Sequence, residues 1–177
     1  MREDRRAHLL LRFFSGLTEH AFCGRLGIAD PPLVDYISEM LARFIRYDEI
    51  YCVRTPYGQR LTQVADMVAE ADKRHGLARR QAHRHIGDFT LFWSGLYPEM
   101  VEGMRRPGTK DSLLDYQAQG KRAYYIASTI PVEKEIAPTP ILHQLSEQYE
   151  LCVYGLGEVR RQWEEREGIG DAPLLLE

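Results

Sequence analysis

The stretch HRHIGDFTLFWSGLYPE, residues 83–99, decides how the fold of the surrounding chain is predicted. Apolar side chains recur along it at helical spacing, with two histidines and an aspartate set among them. Pro98 biases the residue before it away from helical geometry. The stretch therefore predicts most of a helix over about 77–96, followed by a corner.

Helical periodicity continues on both sides of this stretch. Asp30-Pro31-Pro32 predicts a helix start, with the aspartate as N-cap and proline in the first turn. Residues 111–129 predict a helix whose small central residues form a groove. Residues 142–163 place apolar side chains at alternating spacings of three and four, which is a heptad seam.

These patterns predict an all-α fold. We expect a single helical domain over residues 1–177, a bundle of about six or seven helices. The turn residues Pro56 and Gly58 are also compatible with one short two-stranded β-ribbon near 50–61.

The composition of the chain excludes several classes of partner. The 177 residues include 23 basic and 26 acidic ones, so no global positive charge would attract nucleic acid or an anionic membrane. No segment approaches the roughly 20 apolar residues that span a bilayer. Cys23, Cys52 and Cys152 lie far apart without a metal-binding spacing, and they predict reduced thiols in a cytoplasmic protein.

A helical wheel separates the polar residues of the 83–99 stretch. His85 falls inside the apolar arc, whereas His83 falls outside it and is predicted to be solvated. Asp88 lies at the edge of the arc, one turn from Arg84. We expect Asp88 to pair with Arg84 or with a group on the next element.

Polar side chains from two helices are predicted to meet. A core-facing imidazole needs a hydrogen-bond partner, and so do the tyrosines on the groove side of the 111–129 helix. The predicted cluster comprises His85, Asp88, Tyr116 and Tyr124, beside a wall of Phe89, Phe92 and Trp93. It is either a structural network or the polar lining of a small-molecule pocket between the 77–96 and 111–129 helices. The structural interpretation is favoured, because such clusters are only probabilistic indicators of a site.

Motifs for metal binding and nucleophilic catalysis are absent from the sequence. Asp72-x-x-His75 and His143-x-x-x-Glu147 are each at most half of a metal site, so we predict no metal and no cofactor. No nucleophile elbow and no phosphate-binding glycine pattern is present.

One segment has a pattern that is found in nucleic-acid-binding proteins. Residues 18–51 have the outline of a winged helix-turn-helix, but Asp35 and Glu39 stand on the outer face of its recognition helix. The basic run 73–84 is interpreted as the solvated back of a helix. The sequence therefore predicts against nucleic-acid binding.

Two quoted runs carry a resemblance to known sequences. HIGDFTLFWSGLYPE at 85–99 contains Gly-Asp, Leu-Phe, Gly and Pro-Glu, and LLDYQAQGKRAYYIAS at 113–128 contains Asp-Tyr and Gly-x-x-x-Tyr. Together they resemble the signature of a group of uncharacterised bacterial proteins, most clearly over 83–129. The resemblance implies no activity and transfers no catalytic residue.

The functional prediction follows from the absence of catalytic motifs and from the seam at 142–163. We expect a non-enzymatic cytoplasmic module that acts through protein association, including a homodimer through that seam. The alternative is a small-molecule-binding protein or an enzyme that uses the pocket between the 77–96 and 111–129 helices.

Overall fold

A computed structural model of the chain describes residues 2–134 and 136–167, without the side chains of residues 2–4, 47 and 167. Within these ranges the chain forms nine α-helices, one π-helical turn and no β-strand, so the predicted all-α class is confirmed. The elements are α1 Arg2–Glu19, the π-helical turn His20–Arg25, α2 Pro31–Phe44, α3 Tyr47–Ile50, α4 Val64–Lys73, α5 Gly76–Leu96, α6 Pro98–Met104, α7 Tyr116–Thr129, α8 Thr139–Glu147 and α9 Tyr149–Glu167. Among these helices, none has the length and apolarity to cross a membrane.

The contacts of the chain group into two compact units. Of the described residues, the first unit comprises 2–50 and 154–167, and the second comprises 51–134 and 136–153. Helix α9 begins in the second unit and continues in the first. A single domain over residues 1–177 stays a prediction.

In the first unit, α1 packs against α2. Helix α2 starts as predicted, because the Asp30 carboxylate accepts a hydrogen bond from the N–H of Leu33 at 3.2 Å and prolines occupy the first turn. The ring of Phe14 meets Trp163 of α9 edge to face, with 5.5 Å between ring centroids. Aromatic packing therefore joins the N-terminal helix to the last one within this unit.

Helix α5 is the centre of the second unit. It contacts α4, α6 and α7, and α7 in turn contacts α8. Every residue from His85 to Leu96 is buried, as expected for a helix that is packed on all sides. This part of the 83–99 stretch therefore forms the core of the unit, and its polar residues lie inside that core.

The segment near 50–61 does not form a ribbon. Arg54 and Arg60 make one isolated antiparallel bridge, without a ladder on either side. Gly58 lies between them with a φ of +83°, a conformation that side-chain-bearing residues rarely adopt. In place of the possible β-ribbon, the segment therefore forms a tight turn that is closed by one bridge.

The apolar seam predicted over 142–163 is covered by the chain itself. Helix α8 ends at Glu147 and α9 begins at Tyr149, so the seam runs along two helices. Its members are fully buried at Leu142, Leu145, Tyr149, Cys152, Leu156 and Val159. These six side chains are therefore covered within one chain, and the homodimer through the 142–163 helix stays a prediction.

Arg80 departs from the interpretation of 73–84 as a solvated face. Arg80 is 3% exposed, and its Nη1 donates to the carbonyls of Ala127 and Ile130 at 2.9 Å each. Nη2 donates to the carbonyl of Ala137 and to Oγ1 of Thr139. The Arg80 cation thus bonds carbonyls at the end of α7, where the helix dipole also favours a positive charge. The solvated interpretation is therefore wrong at Arg80.

Candidate functional site

Asp88 and Tyr124 are brought together as the sequence predicts. The hydroxyl of Tyr124 donates to Oδ1 of Asp88 at 2.7 Å, and Oδ2 lies 3.7 Å from Nε of Arg84. Asp88 is 1% exposed and Tyr124 is fully buried. Gly87 makes the approach of the tyrosine possible, since a Cβ at that position would lie 2.7 Å from the Tyr124 ring. The pair is a buried hydrogen bond between α5 and α7.

The groove of α7 is filled by a residue that the sequence does not indicate. Tyr149, at the start of α9, donates a hydrogen bond to Oγ1 of Thr90 at 2.8 Å. A Cβ on Gly120 would collide with both the Thr90 hydroxyl and the Tyr149 hydroxyl. Burial raises the pKa of Tyr149 above its ordinary value, so it stays a neutral donor. The groove is therefore filled at Gly120 by the side chains of Thr90 and Tyr149.

Tyr116 bonds a residue outside the predicted cluster. Its hydroxyl donates to Oδ2 of Asp111 at 2.6 Å. The same carboxylate accepts from the N–H groups of Val64 and Ala65 at 2.8 Å each, at the beginning of α4. Burial, together with Asp111, raises the pKa of Tyr116. Asp111 is thus a long-range cap for α4, and Tyr116 supports it.

His85 faces a cysteine. Nδ1 of His85 lies 3.3 Å from Sγ of Cys52, which is within hydrogen-bond distance for a thiol and an imidazole. His85 is 8% exposed, whereas Cys52 is exposed. The ring of Tyr51, beside Cys52, packs edge to face against Phe89, one turn after His85, at 5.7 Å between centroids. A nucleophilic side chain and a base are therefore held together at the surface of the second unit.

His83 is predicted to be solvated, and that prediction is wrong. It is 2% exposed, and its Nε2 lies 3.6 Å from Oδ1 of Asp72 on α4, beyond hydrogen-bond distance. Burial lowers the pKa of His83, and the Asp72 carboxylate opposes that effect in part. The wheel considered α5 alone, whereas in the fold α4 covers this side of it.

The predicted pocket wall is a continuous aromatic cluster. Phe92 meets Trp93 nearly at right angles, with 5.3 Å between centroids, and Trp93 also contacts Phe89 and Tyr97. All four rings are buried. Their packing against one another stabilises the end of α5.

Of the four residues in the predicted polar cluster, the structure therefore joins Asp88 to Tyr124. His85 contacts Cys52 instead, and Tyr116 bonds Asp111. A ligand pocket lined by all four residues stays a prediction. Cys52 and Asp111 could not be identified from the sequence because they lie 33 and 47 residues from His85 and Val64, and no local pattern links such distant positions.

An open cleft lies elsewhere in the second unit, where α5 ends, α6 follows and α7 begins. Its volume is about 180 Å³. The lining combines apolar, hydroxyl and charged side chains: Ser94, Pro98, Val101, Glu102, Arg105, Asp115, Tyr116 and Gln117. Tyr116 is the one member of the predicted cluster that reaches this cleft.

No family model, curated protein or solved structure matches this chain. The resemblance to the bacterial group over 83–129 therefore stays a prediction. Over residues 2–134 and 136–167, no group of three or more His, Cys, Asp or Glu side chains is arranged to hold a metal ion.

Proposed function

We propose that the protein is a helical module that binds a partner protein, and that the cleft between α6 and α7 receives one side chain of that partner. The observation that carries the proposal is the size of the cleft, about 180 Å³. Pockets for drug-sized ligands and cofactors have volumes of about 300–1,000 Å³, which is well above this value. A cavity of about 150 Å³ accommodates benzene. The cleft therefore has room for one aromatic or branched side chain.

The side chains around the cleft support a protein partner. Met100 of α6 is 50% exposed, and Leu113, two residues before Asp115, is 95% exposed. Methionine and leucine that are exposed in the segments leading to the lining residues give a partner apolar area to cover. Glu102 and Arg105 add an acceptor and a donor, which would fix the orientation of a bound backbone.

The partner is proposed to be a different protein. The prediction of a homodimer was based on the heptad seam. Because the seam side chains are buried within the folded chain, they do not favour a second copy over a different protein. We retain the cytoplasm as the proposed location. No disulfide joins Cys23, Cys52 or Cys152, all of which lie in the described part of the chain, and this supports a reducing compartment.

Selection from a peptide library tests this proposal directly. The purified protein is used to select from a phage-displayed library of random dodecapeptides. We expect enriched peptides that share one aromatic or large aliphatic position. A Val101→Phe variant, which fills the cleft, should lose them, because the site for that side chain is occupied.

Tyr57→Ala is the matched control. Tyr57 is 93% exposed and is not among the residues that line the cleft, so its removal should leave peptide binding unchanged. The proposal fails if no peptide family is enriched, or if the enriched peptides bind Val101→Phe as tightly as the parent protein.

A further inference from the structure

Cys52 differs from the other two cysteines in its access to solvent. All three lie in the described part of the chain, where Cys152 is buried, Cys23 is partly exposed and Cys52 is exposed. A thiol that reacts with a solute must be reached by it, so Cys52 is the thiol best placed for chemistry.

The imidazole beside Cys52 is held by the core. His85 is 8% exposed and projects from α5, the central helix of this unit, so its ring has little freedom to turn away. Its Nδ1 lies 3.3 Å from the sulfur. The thiol proton can pass between Sγ and Nδ1 without any rearrangement of the chain. The pair has the separation expected of a nucleophile and its base.

The segment that carries Cys52 also carries two exposed arginines. Val53 is buried, whereas Cys52 and Arg54 on either side of it are exposed, so these two side chains lie on the same side of an extended segment. Arg60 pairs with Arg54 across the bridge and is exposed as well. Arg54 and Arg60 give the turn that follows Cys52 two positive charges, and these favour a substrate with negative charge.

We propose that Cys52 and His85 form a nucleophilic thiol site that undergoes exchange with small anionic disulfides. His85 accepts the proton of the Cys52 thiol, and the resulting thiolate attacks one sulfur of the disulfide. The S–S bond of the substrate breaks as the new S–S bond to Cys52 forms. The departing thiolate takes the proton from the His85 imidazolium, and a free thiol reverses the reaction. No other oxidant is needed, since the substrate disulfide is reduced as Cys52 is oxidised.

Oxidised glutathione, an anionic disulfide, is the probe for the test. The folded protein and the urea-unfolded protein are incubated with it at pH 7, and the adduct on each cysteine is quantified by mass spectrometry of peptides. We expect Cys52 to react at least about tenfold faster in the folded protein, because an unassisted thiol is only a few per cent thiolate at this pH. His85→Ala should remove that acceleration.

The comparison of folded with unfolded protein remains decisive even if His85→Ala does not fold, and circular dichroism reports whether it does. Equal rates for folded and unfolded Cys52, or faster modification of Cys23 than of Cys52, would overturn the proposal. An unchanged Cys52 rate in a folded His85→Ala variant would overturn it as well.

Arg54→Gln tests the preference for an anionic substrate. The rates with oxidised glutathione and with cystamine, a cationic disulfide, are compared in the parent protein and in this variant. We expect the ratio of the glutathione rate to the cystamine rate to fall several-fold in the variant. A ratio that does not change contradicts the assignment of an anionic substrate.

Discussion

The buried carboxylate of Asp88 depends on the hydroxyl of Tyr124. Replacing Tyr124 with phenylalanine keeps the ring that fills the space over Gly87 and removes the donor at 2.7 Å. We expect the free energy of unfolding to fall by about 1–3 kcal/mol, the usual cost of leaving a buried acceptor with one partner fewer. Tyr125→Phe, at the adjacent position but 54% exposed, should change it by less than about 0.5 kcal/mol. Urea denaturation measures both values, and equal effects would contradict this role.

Gly87 is required by packing rather than by backbone conformation. A Cβ there would lie 2.7 Å from the ring of Tyr124, which cannot move aside because Asp88 holds its hydroxyl. Gly87→Ala should therefore lower the stability by about 1–3 kcal/mol despite the better helix propensity of alanine. At Gly16 in α1, nothing lies within 4 Å of the position that a Cβ would take, so Gly16→Ala should stabilise the protein by up to about 1 kcal/mol. Thermal and urea unfolding measure the stability of both variants. If both substitutions destabilised the protein, the packing argument for Gly87 would be contradicted.

His83 should make stability depend on pH. Burial lowers its pKa in the folded state below the value of 6.5 for a free histidine, so the unfolded chain binds the proton more readily. The neutral side chain therefore contributes its full stability above about pH 6.5, and that contribution decreases as the pH falls toward the folded pKa. We expect the drop in unfolding free energy between pH 7.5 and 5.5 to be smaller in His83→Gln than in the parent protein. An identical drop in the two proteins would show that burial of His83 does not have this consequence.

At the scale of elements, α4 depends on a residue far along the chain. Asp111 accepts from two N–H groups at the start of α4 and from the hydroxyl of Tyr116. Asp111→Ala should cost at least about 2 kcal/mol, because it leaves several buried donors unpaired. Asp115 is the matched control, since it caps α7 locally and is exposed. Asp115→Ala should cost only about 1 kcal/mol in the same urea titration. The reverse order would contradict the role assigned to Asp111.

Helix starts and ends were predictable where the signal is local. The aspartate and prolines before α2 act within one turn of each other, and Pro98 marks the end of α5 for the same reason. The number of helices was less predictable, because α3 and α6 are only 4 and 7 residues long and carry too few periodic positions to be detected. The seam over 142–163 was correct as a pattern, but a pattern of burial does not tell which chain covers it.

At the scale of the whole molecule, the candidate site was only partly predictable. Asp88 and Tyr124 were placed in one predicted cluster with His85 and Tyr116, because each stands at a defined position on a predicted helix. The cap at Asp111 and the contact of Cys52 with His85 join segments that sequence periodicity treats separately. Arg80 and His83 were misplaced because a wheel assigns one buried face to a helix, and α5 is packed on several sides. The cleft arises where three elements meet, so no single segment encodes it.

Binding of a partner side chain in the cleft between α6 and α7 is the central claim about function. The most direct measurement is a titration of the ¹⁵N-labelled protein with the tightest peptide from the phage selection, followed by two-dimensional NMR. We expect the largest shifts at the backbone amides of Val101, Tyr116 and Gln117, and we expect them to disappear in Val101→Phe. Shifts that are absent, or that concentrate on residues outside the lining of the cleft, would contradict the claim.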